Sequence, residues 1–389
     1  MRFTAPLFAA SVALLAWPLA WADEADMAVG LSDKQLAEIG NRWADAINDA
    51  DAPALNALLD LKGLGLRSAD TLPTSDTERN EFVRGFMRGA ERLAPTWISQ
   101  IQMAEGSALF LKVHSFDGMR GPLVRYDLGD QGYNYLLLIA QSRPNGEPRV
   151  VDLFLATTGQ KFSDTLGAIS LLLVAPNDSL LGQVFGVTNI DRNLVASFSS
   201  IGQLQRTGRT ADAYAKVQEL PEAIRNHRVM LNISVQLASL LSEDLYRAEL
   251  GRLARYHRDD PTAAFTLIDY YFYKGDTEAA MNAILGMERA FGTDAAISVL
   301  KANISMEAGD LFGARRFARE GVQLEPHNEL GHLTLLTILM LSEEYADGIE
   351  VLESLEENFG YEFDAQSFAD NELYEGFVES TEYAAWIRR

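Results

Sequence analysis

Residues 275–310 read GDTEAAMNAILGMERAFGTDAAISVLKANISMEAGD, and this stretch decides the fold of half the chain. It opens on Gly275-Asp276 and closes on Gly309-Asp310, 34 residues later; a further 34 on stands Glu343-Glu344. In that register Ala280 falls with Ala314 and Gly348, Ile284 with Ala318 and Leu352, and Ile268 with Ala302 and Leu336. Gly292 closes one period and Pro326 falls just before the next. Glycine tolerates positive φ at a turn, and a small residue early in the helix that follows lets two helices pack closely. A period of this length, with no strand alternation inside it, predicts stacked helical hairpins that bury one continuous core.

The period is clean over 261–294, 295–328 and 329–361. It extends back to 227–260, where Leu241-Ser242-Glu243 stands at the turn, and to 193–226, where Thr207-Gly208-Arg209 does. The pattern resembles the tetratricopeptide repeat. Two departures stand out: Lys301 holds a position that usually carries a large apolar side chain, and the signature Trp is missing throughout. The resemblance implies an all-α superhelix whose concave face is lined by the first helix of each hairpin, with ligand contacts at fixed positions on it. Carried onto this chain, those positions are Phe265, Asp269, Phe272 and Tyr273, then Val299, Asn303, Met306 and Glu307, then Leu333, Thr337 and Met340. Aromatic area beside an amide that both donates and accepts suits a protein or peptide partner.

Upstream of residue 190 the periodicity changes. Ser32 with Gln35 forms a capping box ahead of Leu36, Ile39, Trp43 and Ile47 at helical spacing. A short helix follows from Asp51 through Leu58 and Leu59, and a third begins at Ser75 or Asp76 and runs through Phe82, Phe86 and Leu93. After Pro95 the pattern reads as strand over 108–113, 123–126, 133–139 and 150–155. Phe116-Asp117-Gly118, Gly129 to Gly132 and Pro144-Asn145-Gly146 separate these strands with strong turn signals. Helices followed by an antiparallel meander define an α+β domain. Over residues 30–165 this order resembles the nuclear-transport-factor-2-like superfamily, with Asn134 to Leu138 leading to Val150 to Phe154 and on to Thr158-Gly159. The resemblance implies a cone with a ligand-binding mouth, and an alternative function in small-molecule binding or isomerase or dehydratase chemistry. Such chemistry needs a carboxylate or His tuned by an apolar pocket, for which Asp152, His114, Asp127, Tyr126 and Tyr133 are the candidates. On this scheme Leu111, Phe154, Leu267 and Leu336 are core residues.

The two ends carry different messages. Arg2, the apolar run Phe3 to Leu19, and Ala20-Trp21-Ala22 read as a signal peptide cleaved after Ala22, which places the mature protein in the periplasm or outside the cell. No later stretch approaches the ~20 apolar residues of a membrane span, so no stable membrane insertion is expected after cleavage. Residues 343–389 hold fourteen acidic and two basic side chains, more than half of the chain's net charge of −22, interleaved with nine aromatics. An acidic, aromatic helical cap over 362–389 is the expectation, with a docking surface for a basic partner as the other reading. The organisation is therefore a signal peptide over 1–22, an α+β domain over 23–185, helical repeats over 190–361, and the cap.

Several classes fall away. Clustered Lys and Arg for phosphate contacts are lacking, so no nucleic-acid partner is expected. With no cysteine in 389 residues there are no disulfides, thiolate metal sites or thiol nucleophiles. His114, His227, His257, His327 and His332 form no zinc-binding spacing. There is no nucleophile-elbow or phosphate-loop motif, and Gly63-Leu64-Gly65 is read as a loop between helices. No catalytic residue, metal or cofactor is assigned. The expected function is that of an exported, non-enzymatic adaptor or scaffold; a homo-oligomer built through Tyr374, Phe377 and Trp386 is the third reading.

Overall fold

The computed structural model describes residues 30–71, 75–129, 132–173, 192–258, 263–368 and 371–388; the signal-peptide reading lies outside them. The described residues divide into two compact units, one ending at Tyr270 and one beginning at Tyr271.

The first unit begins with five helices, α1 (Asp33–Asn48), α2 (Ala52–Leu58), α3 (Leu61–Asp70), α4 (Asp76–Met87) and α5 (Leu93–Met103). Ser32 and Gln35 form the expected capping box, and α1 buries Leu36, Ile39, Trp43 and Ile47 along one stripe. Two segments differ from the sequence reading. Gly63-Leu64-Gly65 lies inside α3, because the Asp60 carboxylate accepts the Gly63 N–H at 3.1 Å and starts a helix there. Pro95 does not end the helical region. It is the third residue of α5, in the first turn, where no intrahelical partner is lost by its missing N–H.

The strands are β1 (Ser107–Phe116), β2 (Met119–Asp127), β3 (Tyr133–Ser142), β4 (Pro148–Leu155) and a two-residue β5 (Gln160–Lys161), which the sequence reading did not include. They form one antiparallel sheet in the order β1-β2-β3-β4-β5. Asp117 (φ 49°) and Gly118 (φ 75°) occupy the left-handed region at the first hairpin, and Gly146 (φ 80°) does so at the third. Ala108, Val124, Tyr126, Leu136, Leu138, Val150 and Leu153 share a core with Trp43, Leu55, Leu58, Trp97 and Ile98 from the helices. Asn48 closes the start of β1 like a short strand, accepting from Ala108 N at 2.8 Å and donating to Ala108 O at 2.9 Å. Both faces of β3 are covered, since eight consecutive residues from Tyr133 to Ala140 are buried. Leu111 is not the core residue expected. The register shifts between Phe110 and Lys112, and the bulge leaves Leu111 half-buried.

After β5, α6 (Phe162–Leu173) leads toward a purely helical part. Helices pair as Arg192–Arg206 with Thr210–Gln218 and as Arg228–Ser239 with Glu243–His257. A buried carboxylate joins these pairs: Glu249 takes the Tyr214 hydroxyl at 2.8 Å, and Arg252 Nη1 at 2.8 and 2.6 Å. Arg252 also donates to Gln218 Oε1 at 3.1 Å, and the Tyr256 hydroxyl donates to Glu222 at 3.3 Å; both pairs join residues 34 apart.

The second unit continues the pattern. Helix Thr277–Phe291 is followed by the pairs Ala295–Glu307 with Leu311–Leu324 and Glu329–Leu341 with Tyr345–Phe359. The second helices start at Glu243, Thr277, Leu311 and Tyr345, so the 34-residue period of the sequence is the period of the helices. Gly275 (φ 66°), Gly309 (φ 76°) and Glu343 (φ 55°) take the same left-handed conformation at three successive turns. Asp276 and Asp310 then cap their helices, accepting from Ala279 N at 3.1 Å and Gly313 N at 2.9 Å, whereas Glu344 makes no such bond. Ala280, Ala314 and Gly348 are all buried, and a Cβ on Gly348 would stand 2.4 Å from Met340 Cε. Lys301 is accommodated as a charge: its Nζ lies 2.8 Å from Glu288, 3.9 Å from Glu320 and 4.8 Å from the centre of the Phe317 ring. Past Phe359 two short helices, Glu375–Val378 and Thr381–Trp386, bring Phe377 within 5.1 Å of Tyr383 and 6.5 Å of Trp386, ring centre to ring centre. With Phe368 they extend the core of the last helix pair.

Candidate partner-binding surfaces

The contact positions predicted on the first helices meet different environments. In the first unit, Phe265 and Asp269 lie on helix Ala264–Tyr273. Phe265 is half-buried, while Asp269 is 1% exposed. Its Oδ2 accepts the Tyr246 hydroxyl at 2.8 Å, and Oδ1 is buried with no hydrogen-bond partner among the described residues. Burial pushes this carboxyl up to about 7, against the opposing pull of the Tyr246 bond. Asp269 therefore holds helix Glu243–His257 against its own helix, and a substitution there perturbs packing before it perturbs any ligand.

In the second unit, Phe272 and Tyr273 are half-buried with their rings edge-to-face at 6.4 Å. Val299 and Met340 are buried, and Met306 and Leu333 pack against the core of the last helix pairs. The Thr337 hydroxyl donates to Leu333 O at 2.9 Å within its own helix. Asn303 is half-buried with Oδ1 lacking a partner among the described residues, and Glu307 is exposed. Phe272, Tyr273, Asn303 and Glu307 thus keep side-chain surface or hydrogen-bonding capacity, whereas Val299, Met306, Leu333 and Met340 are used in packing. One position was missed. Leu341, one period after Glu307 and two after Tyr273, is exposed on the same phase; the repeat register itself would have found it.

The candidates in the α+β domain are not gathered at one point. The register sets Leu123 opposite Leu137, Leu137 opposite Phe154, and Ile139 opposite Asp152. Asp152 therefore shares a face with Leu123 and Leu137, while Tyr126 sits on the other face, in the core under α1. Asp152 is buried and accepts three bonds: Leu153 N at 2.9 Å, Ser163 N at 3.0 Å and Ser163 Oγ at 2.5 Å. Burial pushes it up to about 6, partly offset by those bonds. Its geometry is that of a carboxylate capping the first turn of α6 from a neighbouring strand. The Tyr126 hydroxyl accepts Trp43 Nε1–H at 2.8 Å, and burial raises its pKa. Asp127 takes the buried Arg125 guanidinium in two bonds of 2.6 and 2.9 Å, and that guanidinium lies 5.5 Å from the Tyr133 ring centre. His114 is half-buried on β1, opposite Gly121.

Among the described residues no three His, Asp or Glu side chains are grouped so as to hold a metal ion, and no helix is long and apolar enough to cross a membrane. No family model matches the chain, and no curated protein matches it in sequence.

Proposed function

We propose that this chain is an exported, non-enzymatic adaptor of tetratricopeptide type, whose repeats form a superhelix that holds a protein or peptide partner on their first helices. The observation that carries the reading is the coincidence of period: left-handed turns at 275, 309 and 343, and second helices starting at 277, 311 and 345. Arrays of this kind present extended surfaces suited to binding a partner. Export rests on the N-terminal sequence, with a periplasmic or extracellular destination. We further propose a nuclear-transport-factor-2-like cone for the first domain, supported by helices laid against one face of an antiparallel meander. The three bonds that hold Asp152 favour a structural carboxylate over a catalytic one.

The test is a crosslinking pull-down from the native envelope fraction, comparing the parent chain with Phe272→Ala/Tyr273→Ala/Asn303→Ala/Glu307→Lys. Asp269 is left intact because it is buried. A protein retained by the parent and lost by a variant with unchanged circular dichroism and melting temperature is the expected result. Equal recovery by both would refute the assignment of the partner face.

A further inference from the structure

Two grooves in the second unit have complementary chemistry. One, of about 420 Å³, is lined by Phe312, Arg315, Arg316, Arg319, Glu320 and Gln323 on helix Leu311–Leu324. This helix carries three arginines and one glutamate in a chain of net charge −22. Phe312 is 73% exposed, with the Arg315 guanidinium 5.8 Å from its ring centre. Arg315 and Arg319 are tied to Glu344 and Asp347. Arg316 is exposed, lies 4.5 Å from the Phe317 ring centre, and forms no ion pair among the described residues. The groove therefore offers an aromatic anchor beside a cation that lies against a ring and has no ion pair among the described residues.

The other groove, of about 540 Å³, lies in the C-terminal segment between Phe368, Asn371, Glu372, Glu375, Val378 and Tyr383. Its apolar lining includes Tyr383 and the exposed Val378, and its two carboxylates have no ion pair among the described residues. Each groove thus presents what the other lacks: an exposed Phe and a free guanidinium on one, an apolar floor with free carboxylates on the other.

We propose that the two grooves are the halves of one self-association contact, in which Phe312 and Arg316 of one copy enter the Glu372–Glu375–Val378 groove of a second copy. The occupant is a second copy because the charge complementarity is found within this chain. The two patches are different surfaces, so the contact is heterologous and leaves an unused patch at each end. An apolar anchor ringed by charges makes the contact both area-driven and salt-sensitive. It uses none of the positions assigned to a partner on the first helices.

Sedimentation velocity on the full-length mature chain tests this, from low micromolar to several hundred micromolar protein in dilute and in 0.5 M salt. The expected result is a weight-average mass that rises with concentration, both in dilute salt and in 0.5 M salt, where the like net charge of the copies is also screened. Phe312→Ala and Arg316→Glu should each weaken association about tenfold, with the melting temperature unchanged because both side chains are exposed. Mixing Arg316→Glu with Glu375→Arg/Glu372→Arg should restore association that neither variant shows alone, through the reversed charge pair. A parent chain that stays monomeric throughout, association insensitive to Phe312 and Arg316, or failure of the mixed variants to recover, would each overturn the proposal.

Discussion

Glu343 is the one turn residue of the second unit that departs from its repeat, and replacing it isolates a single energetic contribution. It adopts φ 55° where Gly275 and Gly309 adopt 66° and 76°. A left-handed conformation costs a residue with a Cβ roughly 1–2 kcal/mol. Glycine loses more freedom on folding, which takes back roughly 0.5–1 kcal/mol. Glu343 is exposed and makes no ion pair among the described residues, so its charge contributes nothing that must be replaced. Glu343→Gly should therefore stabilise the second unit by about 0.5–1 kcal/mol, a rise in melting temperature of roughly 2–5 °C for a unit of this size. The converse control is Gly309→Ala. A Cβ there meets no atom within 4 Å, so the expected loss of about 1 kcal/mol is a backbone effect without a clash. Urea denaturation of the three chains, followed by circular dichroism, reads both changes. A Glu343→Gly chain with a midpoint at or below the parent's, beside a Gly309→Ala chain that does lose stability, would refute the reasoning.

Three more outcomes follow from the geometry. Asp269 sits at about 7 in the folded chain, against about 4 for a free Asp side chain. The folded state then binds more protons than the unfolded one between these values, so stability falls as pH rises from about 4 to about 7 and levels off above. Asp269→Asn, which keeps an acceptor for Tyr246, should flatten that slope in melting curves taken across the range. Glu249→Ala leaves Arg252 and Tyr214 without their shared acceptor and should cost about 3–5 kcal/mol, most of it in the helices around it; hydrogen exchange would localise the loss. Gly121→Ala places a Cβ 1.8 Å from the Leu138 carbonyl oxygen, so it should abolish folding of the sheet or cost more than about 3 kcal/mol, read as lost near-ultraviolet dichroism or insoluble expression.

The order of helices and strands was legible because punctuation and periodicity agreed. The Asp117-Gly118 and Asn145-Gly146 turns and the 34-residue register each correspond to a backbone feature of the structure. What escaped depended on context. Pro95 reads as a terminator unless one knows that it falls in a first turn. Gly63 and Gly65 read as a loop unless Asp60 is recognised as the cap ahead of them. The candidate contacts were harder for a related reason. Periodicity groups Asp269 with Asn303 and Thr337, but the burial of Asp269 is set by Tyr246, a residue on the preceding helix. Likewise, nothing in the alternation of β4 could reveal that Asp152 would meet Ser163 at the start of α6.

The bonds between Arg252 and Gln218 and between Tyr256 and Glu222 each join a residue to its own counterpart one period away. Two identical copies stacked at this junction would set Arg against Arg or Glu against Glu. Complementarity here requires that the two hairpins differ at these positions, each fitted to its neighbour. The hairpins therefore have a fixed order. A chain carrying the same hairpin twice would keep its helices yet lose these bonds, so the junction sets which hairpin can stand beside which.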